Sequence, residues 1–249
     1  MRILIVNDDG IYSPGIIALA QVAREFGTVT LVAPDVERSS TGHAVTHSRP
    51  LSYRKTPIGD FDAFRVDGTP ADCVAVGFSI SERHDVVLSG INIGPNLGNS
   101  MWHSGTLAGA KQAALMGSRG IALSAPSSSV EADFERLKPN VAEALSLLLP
   151  NNSLPLVNVN FPAQPRGTLW TRQSVRHYDG KVVPVKDPMG RQLYWFTVIP
   201  MEETEEGTDR WAVEHGFVSM TPLRLDLTDV GALAKVETAA ASASAHVTK

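Results

Sequence analysis

The chain has 249 residues, of which 43% are hydrophobic and 19% charged, and its formal net charge is -4. This length and composition suit a globular α/β protein with a sizeable core, and the negative charge argues against a surface for nucleic-acid polymers. The single cysteine, Cys73, excludes an internal disulfide and a multi-cysteine metal site. No apolar run approaches the roughly 20 residues of a membrane span, and no signal-peptide core precedes the first acidic residues. We therefore expect a cytoplasmic protein with no membrane association.

Short apolar runs alternate with amphipathic segments through the first 165 residues. The runs indicate buried parallel strands, and apolar residues spaced three and four positions apart indicate helices that pack on the sheet. The predicted strands are Ile3–Val6, Val29–Ala33, Phe64–Val66, Asp85–Leu88, Ile121–Ser124 and Leu156–Asn160, and the predicted helices are Ile16–Phe26, Pro70–Phe78, Thr106–Met116 and Phe134–Leu149. This alternation predicts a Rossmann-like core over 1–165, with a mostly parallel sheet and helices on both faces.

The pattern changes in the last part of the chain. Short β-like runs such as Gln192–Val198, separated by polar turns, predict a hairpin-rich β extension over 166–230 that returns to the core. We expect this extension to serve in oligomerisation, because its apolar stretch from Tyr194 to Leu227 is long for an isolated flap. Residues 231–249 are rich in Ala and Ser, and we expect a disordered tail there.

Polar clusters follow the predicted strands at the edge where open parallel sheets bind ligands. The first cluster is Asn7-Asp8-Asp9-Gly10, after the first strand. Two neighbouring carboxylates repel each other at a strand end unless a cation shares them, and such oxygen ligands suit Mg²⁺ or Mn²⁺. A solvated turn, with an Asp that caps the next helix, is the alternative interpretation.

Three further clusters supply hydroxyl, amide and backbone groups. They are Arg38 to His43, Ser89 to Gly98, and His103-Ser104-Gly105-Thr106. The last opens a helix, whose first N–H groups form an anion site, although Ser104 as a simple cap is an alternative. Taken singly, the other two clusters also fit ordinary surface loops. Together the four clusters predict a metal site and a phosphate site on one edge of the sheet.

The clusters occur in the order found in the survival protein E (SurE) nucleotidases, which the sequence resembles. The matching motifs are Asn7 to Gly10, Ala33 to Asp35, Arg38-Ser39, Gly68 to Cys73, Ser89 to Asn92, Gly94 to Gly98, His103 to Thr106 and Thr171 to Ser174. The resemblance extends to about Asp229 and so covers most of the chain.

The resemblance implies a metal-dependent, acid-phosphatase-like hydrolase that converts nucleoside 5'- and 3'-monophosphates to nucleoside and phosphate, and in some members cleaves short polyphosphate. It implies one divalent ion, Mg²⁺ or Mn²⁺, with the ligands Asp8, Asp9, Ser39 and Asn92. The phosphate-binding residues that it implies are Asn96, Ser104, Gly105 and Thr106. It further implies a homodimer or homotetramer with exchanged C-terminal segments.

The expected reaction is attack on phosphorus by water activated by the metal, with Asp8 as general base. Direct attack by Asp8, giving an aspartyl phosphate, is the alternative. His43 and His103 are candidates for protonating the leaving oxygen and are equally suited to holding a loop. A signalling receiver domain would need a third Asp and a Lys that the clusters lack, and a dinucleotide-dependent oxidoreductase would need G-x-G-x-x-G after the first strand. A non-catalytic nucleotide-binding protein remains open.

Overall fold

A nine-stranded sheet forms the centre of the molecule. The computed structural model describes residues 1–126, 133–175, 180–198 and 204–247. Its strands are β1 (Arg2–Val6), β2 (Thr28–Pro34), β3 (Tyr53–Lys55), β4 (Asp62–Val66), β5 (Val86–Ile93), β6 (Arg119–Ala125), β7 (Leu156–Asn160), β8 (Thr168–Trp170), β9 (Gly180–Lys186), β10 (Gln192–Val198) and β11 (Val218–Pro222). All but β9 and β10 belong to the central sheet, in the order β3-β4-β2-β1-β5-β6-β7-β11-β8.

Helices cover both faces of this sheet. The helices α1 (Pro14–Ala23) and α4 (Phe134–Leu148) lie on one face, and α2 (Pro70–Ile80) and α3 (Gly105–Leu115) lie on the other. The short helix α5 (Asp209–Glu214) contacts β11, a 3₁₀ helix spans Gly98–Trp102, and α6 (Val230–Val247) is exposed over residues 230–240. Ile3 and Ile5 of β1 pack with α1 and α4, whereas Leu4 and Val6 point to the opposite face, towards α2 and α3. Successive strand residues are thus buried on both sides, which explains the continuous apolar runs. None of the described helices is long and apolar enough to cross a membrane.

The order of the strands reverses at β1. The strands β4, β2, β1, β5, β6 and β7 run parallel, and the chain builds the sheet first on one side of β1 and then on the other. The strands β3 and β11 pair antiparallel with β4 and β7. The predicted Rossmann-like sheet is confirmed, and its switch point lies between β1 and β5, where folds of this class open a ligand crevice.

The strand β5 is longer than the sequence predicts. The predicted loop from Gly90 onwards continues as strand to Ile93, with a shift in register between Ser89 and Asn92. Gly90 has φ +145°, and a Cβ atom there would lie 2.3 Å from the carbonyl oxygen of Leu123. The glycine therefore serves close packing against β6 rather than a chain turn. Its consequence is that Asn92 lies in register beside Ser124 of β6.

The last part of the chain divides between the core and a protruding hairpin. The strands β8 and β11 join the central sheet, whereas within the described part of the chain β9 and β10 form a separate two-stranded sheet. A disordered tail is the expectation for 231–249; in the structure residues 231–247 belong to α6, and residues 248–249 lie outside the described residues. Alanine has the highest helix propensity of the natural residues, so the Ala-rich composition favours a helix.

Candidate active site

Asp8 and Asp9 lie at the end of β1, in the crevice at the switch point. Asp8 is 4% exposed, and its Oδ1 accepts a hydrogen bond of 2.8 Å from the Thr106 hydroxyl. Its backbone oxygen accepts a bond of 2.7 Å from the Arg38 N–H. The first acidic residue is therefore held both by the helix α3 and by the loop that follows β2.

Among the described residues, no cationic side chain offsets the charge of the two carboxylates. Burial raises the pKa of Asp8, hydrogen bonds from Thr106 oppose this rise, and the charge of Glu37 adds to it. Burial, together with the charge of Asp8, raises the pKa of Asp9 to about 7. The buried Oδ2 of Asp9 meets no hydrogen-bond donor among the described residues. An unsatisfied carboxylate oxygen beside a second buried carboxylate fits a divalent cation with hard oxygen ligands.

Ser39 follows Arg38, whose backbone N–H is bonded to Asp8. The bond from Arg38 N–H to Asp8 fixes the backbone next to Ser39. Ser39 is exposed, and its hydroxyl donates a bond of 2.6 Å to Oε1 of Glu37. That bond uses the proton of the hydroxyl and leaves the oxygen lone pairs for a cation.

Asn92 approaches from the other neighbouring strand. The N–H of Ile93 donates to the carboxylate of Asp9, which joins the end of β5 to the acidic pair. The Nδ2 of Asn92 donates a bond of 2.7 Å to the carbonyl of Gly94. Its carboxamide oxygen is thus the atom suited to a metal. Asn92 therefore lies beside Asp8 and Asp9 at one sheet edge, and Ser39 lies in the loop after β2, next to the residue whose N–H bonds to Asp8.

The N-terminus of α3 faces Asp8. Ser104 is the N-cap, and its Oγ accepts a bond of 3.0 Å from the N–H of Leu107. A Cβ atom on Gly105 would lie 2.8 Å from both Cβ and Oδ2 of Asp8. The backbone N–H of Thr106 also donates to Asp8. Part of the predicted phosphate-binding surface therefore contacts the acidic residue directly, and Ser104 has the capping role that the sequence allowed.

Asn96 is held by polar residues that the sequence analysis missed. Its Nδ2 donates to Ser124 Oγ at 2.9 Å and to Thr106 Oγ1 at 3.3 Å. Its backbone N–H donates to Oδ1 of Asn160 at 2.8 Å, and Asn158 donates to its carbonyl. The signal was present in β7, where two fully buried asparagines alternate with valines and so share one face of the sheet.

Asp209 of α5, which the sequence patterns also did not single out, holds the loop from the other side. It is 0% exposed, and its Oδ2 accepts a bond of 2.8 Å from the N–H of Gly98. Its Oδ1 accepts a bond of 3.0 Å from the N–H of Ser174, and Gln173 donates to the carbonyl of Gly98. Gln173 and Ser174 of this motif thus support the loop that carries Asn96.

The candidate histidines lie where two loops meet. The Nε2 of His43 lies 2.8 Å from Oε1 of Gln112 on α3. The backbone carbonyl of His103 accepts a bond of 3.1 Å from Gly42, and the residue itself is exposed at the end of the 3₁₀ helix. His43 therefore holds the loop after β2 against α3, which is the loop-holding option that the sequence left open.

These observations define a Rossmann-like α/β protein with an acidic crevice at its switch point, faced by a helix N-terminus. The sequence model of the family described as Survival protein SurE matches residues 3–180. The chain belongs to this family, as its motifs predicted.

Individual relatives match this chain over most of their length. The chain is 48% identical over 240 residues to a protein named 5'-nucleotidase SurE 1 from Thermus thermophilus, covering 94% of this chain and 95% of the relative. It is 44% identical to 5'-nucleotidase SurE from Deinococcus radiodurans, covering 91% of this chain and 88% of the relative. The crystal structure of the SurE protein from Aquifex aeolicus superposes with a TM-score of 0.83 at 39% identity, covering 96% of this chain and 99% of that chain.

Proposed function

We propose that this protein is a metal-dependent nucleotidase that hydrolyses nucleoside 5'-monophosphates to nucleoside and phosphate. Nucleoside 3'-monophosphates and short polyphosphate are proposed as further substrates of the same site. The relatives named 5'-nucleotidase support the substrate class. The observation that carries the proposal is the pair of buried Asp8, which faces the N-terminus of α3, and half-buried Asp9, which has an unsatisfied oxygen.

The proposed cofactor is one divalent ion, Mg²⁺ or Mn²⁺. The proposed ligands are Asp8, Asp9, Ser39 and Asn92, whose oxygens form a hard donor set of the kind that both ions accept. When bound, the ion supplies Lewis-acid polarisation of the phosphate and increases the acidity of the attacking water. The charge of the ion also explains how an acidic crevice receives an anionic substrate.

Asp8 acts as the general base in this proposal. Thr106 holds its Oδ1, which orients the carboxylate to take a proton from the attacking water. The new bond forms between the water oxygen and phosphorus, and the bond between phosphorus and the ribose oxygen breaks. The ribose oxygen takes a proton from solvent water as it leaves, which restores the nucleoside hydroxyl, and Asp8 returns the proton that it took to solvent.

The start of α3 and the loop before it hold the phosphate. Ser104 and Gly105 offer hydroxyl and backbone groups at a positive helix end. Thr106 and Asn96, whose donors bond to Asp8, Ser124 and each other in this structure, bind the phosphate by exchanging those bonds. These donors stabilise charge on the equatorial oxygens in a reaction that depends mainly on positioning and electrostatics.

We also propose a homodimer or homotetramer with exchanged C-terminal segments. The hairpin of β9 and β10 exposes a group of large apolar side chains, among them Tyr194 at 67%, Trp195 at 66% and Val182 at 55%. Exposed apolar groups of this kind commonly mark a protein interface. A second copy of the chain is the partner that the family relationship favours.

The test is release of phosphate from a panel of nucleoside monophosphates by chelated protein, before and after addition of Mn²⁺ or Mg²⁺. We expect metal-restored release, which Asp8→Asn reduces by roughly 10²–10⁴-fold because the general base is lost. Asp60→Asn, which neutralises an exposed carboxylate, is the control and should retain activity. Folded protein that binds nucleotide but releases no phosphate with either ion would indicate a non-catalytic nucleotide-binding protein.

Borohydride reduction during turnover separates the two routes of attack. Water attack leaves Asp8 unmodified in the mass spectrum, whereas an aspartyl phosphate at Asp8 would be reduced to the alcohol and would overturn the general-base role.

A further inference from the structure

Buried polar side chains surround Asn96 on the α3 face of the sheet. Ser124, Asn158 and Asn160 are all 0% exposed. Ser124 lies in register with Asn92 on one side and with Asn160 on the other. Residues in register on neighbouring strands point to the same face, so a polar row crosses the ends of β5, β6 and β7.

Asn160 fixes the main chain of Asn96 at two points. Its Oδ1 accepts a bond of 2.8 Å from the N–H of Asn96, and its Nδ2 donates a bond of 3.1 Å to the carbonyl of Asn96. One carboxamide thus satisfies both backbone groups of a residue that lies between β5 and the 3₁₀ helix. The neighbouring Asn158 donates a further bond of 2.8 Å to the same carbonyl.

Ser124 fixes the side chain of Asn96. Its Oγ accepts a bond of 2.9 Å from Nδ2 of Asn96, and the same nitrogen lies 3.3 Å from Oγ1 of Thr106. Thr106 in turn donates to Oδ1 of Asp8 at 2.8 Å. A continuous set of hydrogen bonds therefore runs from β6 through Asn96 to the acidic pair.

Burying these groups is unfavourable unless they are hydrogen-bonded. A strand that served the core alone would carry apolar residues, as β7 does at Val157 and Val159 on its other face. The buried amides of β7 instead lie where the loop of Asn96 crosses the strand ends. Their bonds go to Asn96, apart from one of 3.1 Å from Nδ2 of Asn158 to Sδ of Met101 in the 3₁₀ helix.

We propose that Asn160 and Ser124 are positioning residues for phosphomonoester hydrolysis. Asn160 sets the path of the main chain at Asn96, and Ser124 sets the direction of the Asn96 carboxamide. Both act through Asn96 on the phosphate side of the crevice, whereas none of the bonds described above joins either of them to Asp9, Ser39 or Asn92. This inference rests on the proposed function.

The test compares Asn160→Ala and Ser124→Ala with Thr221→Val in the full chain loaded with Mn²⁺. Thr221 is 1% exposed, lies opposite Asn158 in the neighbouring strand, and bonds to Thr171 at 2.7 Å. Its substitution therefore removes a buried polar group of the same sheet without touching Asn96. The measurements are kcat, KM, inhibition by inorganic phosphate, Mn²⁺ affinity by direct titration, and Tm.

We expect kcat/KM to fall by about 10–100-fold in both positioning variants, as for partners that orient a binding group. Inhibition by inorganic phosphate should weaken in parallel, and Mn²⁺ affinity should stay unchanged. Thr221→Val should lower Tm and leave kcat/KM unchanged. An equal loss of kcat/KM in Thr221→Val at a matched loss of Tm would show a purely structural role and overturn the inference.

A mutant cycle decides the matter if Asn160→Ala does not fold. Because Ser124 acts through Asn96, Ser124→Ala should have no further effect on kcat/KM in an Asn96→Ala background. A full effect in that background would overturn the inference. An active wild type with fully active variants contradicts only the positioning roles, whereas a wild type inactive with every metal contradicts the proposed function itself.

Discussion

Thr106 joins the first turn of α3 to the end of β1, because its hydroxyl donates to Oδ1 of Asp8 across 2.8 Å. Both residues are shielded from water, with Thr106 at 0% and Asp8 at 4% exposure. A hydrogen bond to a buried carboxylate is stronger than one on the surface. The bond therefore couples the proposed general base to the proposed phosphate-binding helix.

Thr106→Val should reduce kcat, because it removes this hydroxyl with little change in shape. A bond to a charged group is worth about 1.5–3 kcal/mol, which corresponds to a loss of roughly 10–100-fold. Thr106→Ser restores the hydroxyl and should recover most of the activity. Phosphate release under saturating nucleotide is the measurement, and equal rates for Thr106→Val and wild type would refute the coupling.

Gly105→Ala should also impair activity, for a steric reason. The added Cβ would lie 2.8 Å from Oδ2 of Asp8, so α3 must move away from β1. A misplacement of about 1 Å can lower catalysis by roughly 10²-fold. Gly231→Ala on the exposed helix α6 is the matched control, and its Cβ has ordinary contacts. If both variants keep wild-type kcat/KM, close contact between α3 and Asp8 is not required.

Glu37→Gln should weaken divalent-metal binding. Glu37 accepts the Ser39 hydroxyl at 2.6 Å, and its charge acts on both Asp8 and Asp9. Loss of such a supporting group lowers metal affinity by about 10–100-fold in known metal sites. Isothermal titration calorimetry with Mn²⁺ measures the change in affinity. Glu143→Gln, which neutralises an exposed carboxylate on α4, should bind Mn²⁺ as the wild type does.

His84 should make folding stability depend on pH. It is 4% exposed, its Nδ1 has no partner within the described part of the chain, and burial, with the charge of Arg2, lowers its pKa below 6.5. The folded state thus binds the proton less tightly than the unfolded state. This contribution to stability is complete above pH 6.5 and is lost as the pH falls from there towards the lowered pKa.

Urea unfolding at a series of pH values tests this behaviour. The midpoint for the wild type should decline below pH 6.5, and His84→Gln should show a flatter acid limb. Parallel curves for the two proteins would assign the acid limb to other groups.

Trp195→Lys should dissociate the proposed oligomer, because it places a charge on the apolar face of the hairpin. Light scattering coupled to size exclusion gives the mass of each species. Met189 lies at the tip of the same hairpin and is 82% exposed, so Met189→Lys controls for added charge. An unchanged mass in Trp195→Lys would place the interface elsewhere.

The sequence was sufficient to predict the sheet, the edge that carries the crevice, and the approach of Asn92 to the acidic pair. Each of these follows from short-range patterns, since a buried parallel strand ends where its polar residues begin. Asp209 was missed because an acidic residue after Thr208 is typical of a helix start. Its bonds to Gly98 and Ser174 depend on tertiary packing that local sequence does not encode.

Two differences between the expected and the observed elements have a common cause, because one residue type serves different structures. Gly90 indicated a loop, yet it allows β5 to pack against Leu123 and to continue to Asn92. The Ala-rich segment indicated disorder from its low complexity, yet the same alanines favour the helix α6. Composition alone could not decide between these outcomes.

The hydrogen bonds that Asp209 and Gln173 form with the backbone of Gly98 have a consequence for synthesis on the ribosome. The acidic pair and Asn92 belong to the first half of the chain. Asn160 and Asp209 hold the loop from Asn96 to Gly98, and they are translated much later. A nascent chain therefore exposes the acidic residues well before it can order the loop beside them. Polypeptides released early would lack the residues that fix this loop, so the assembled crevice belongs only to nearly finished chains.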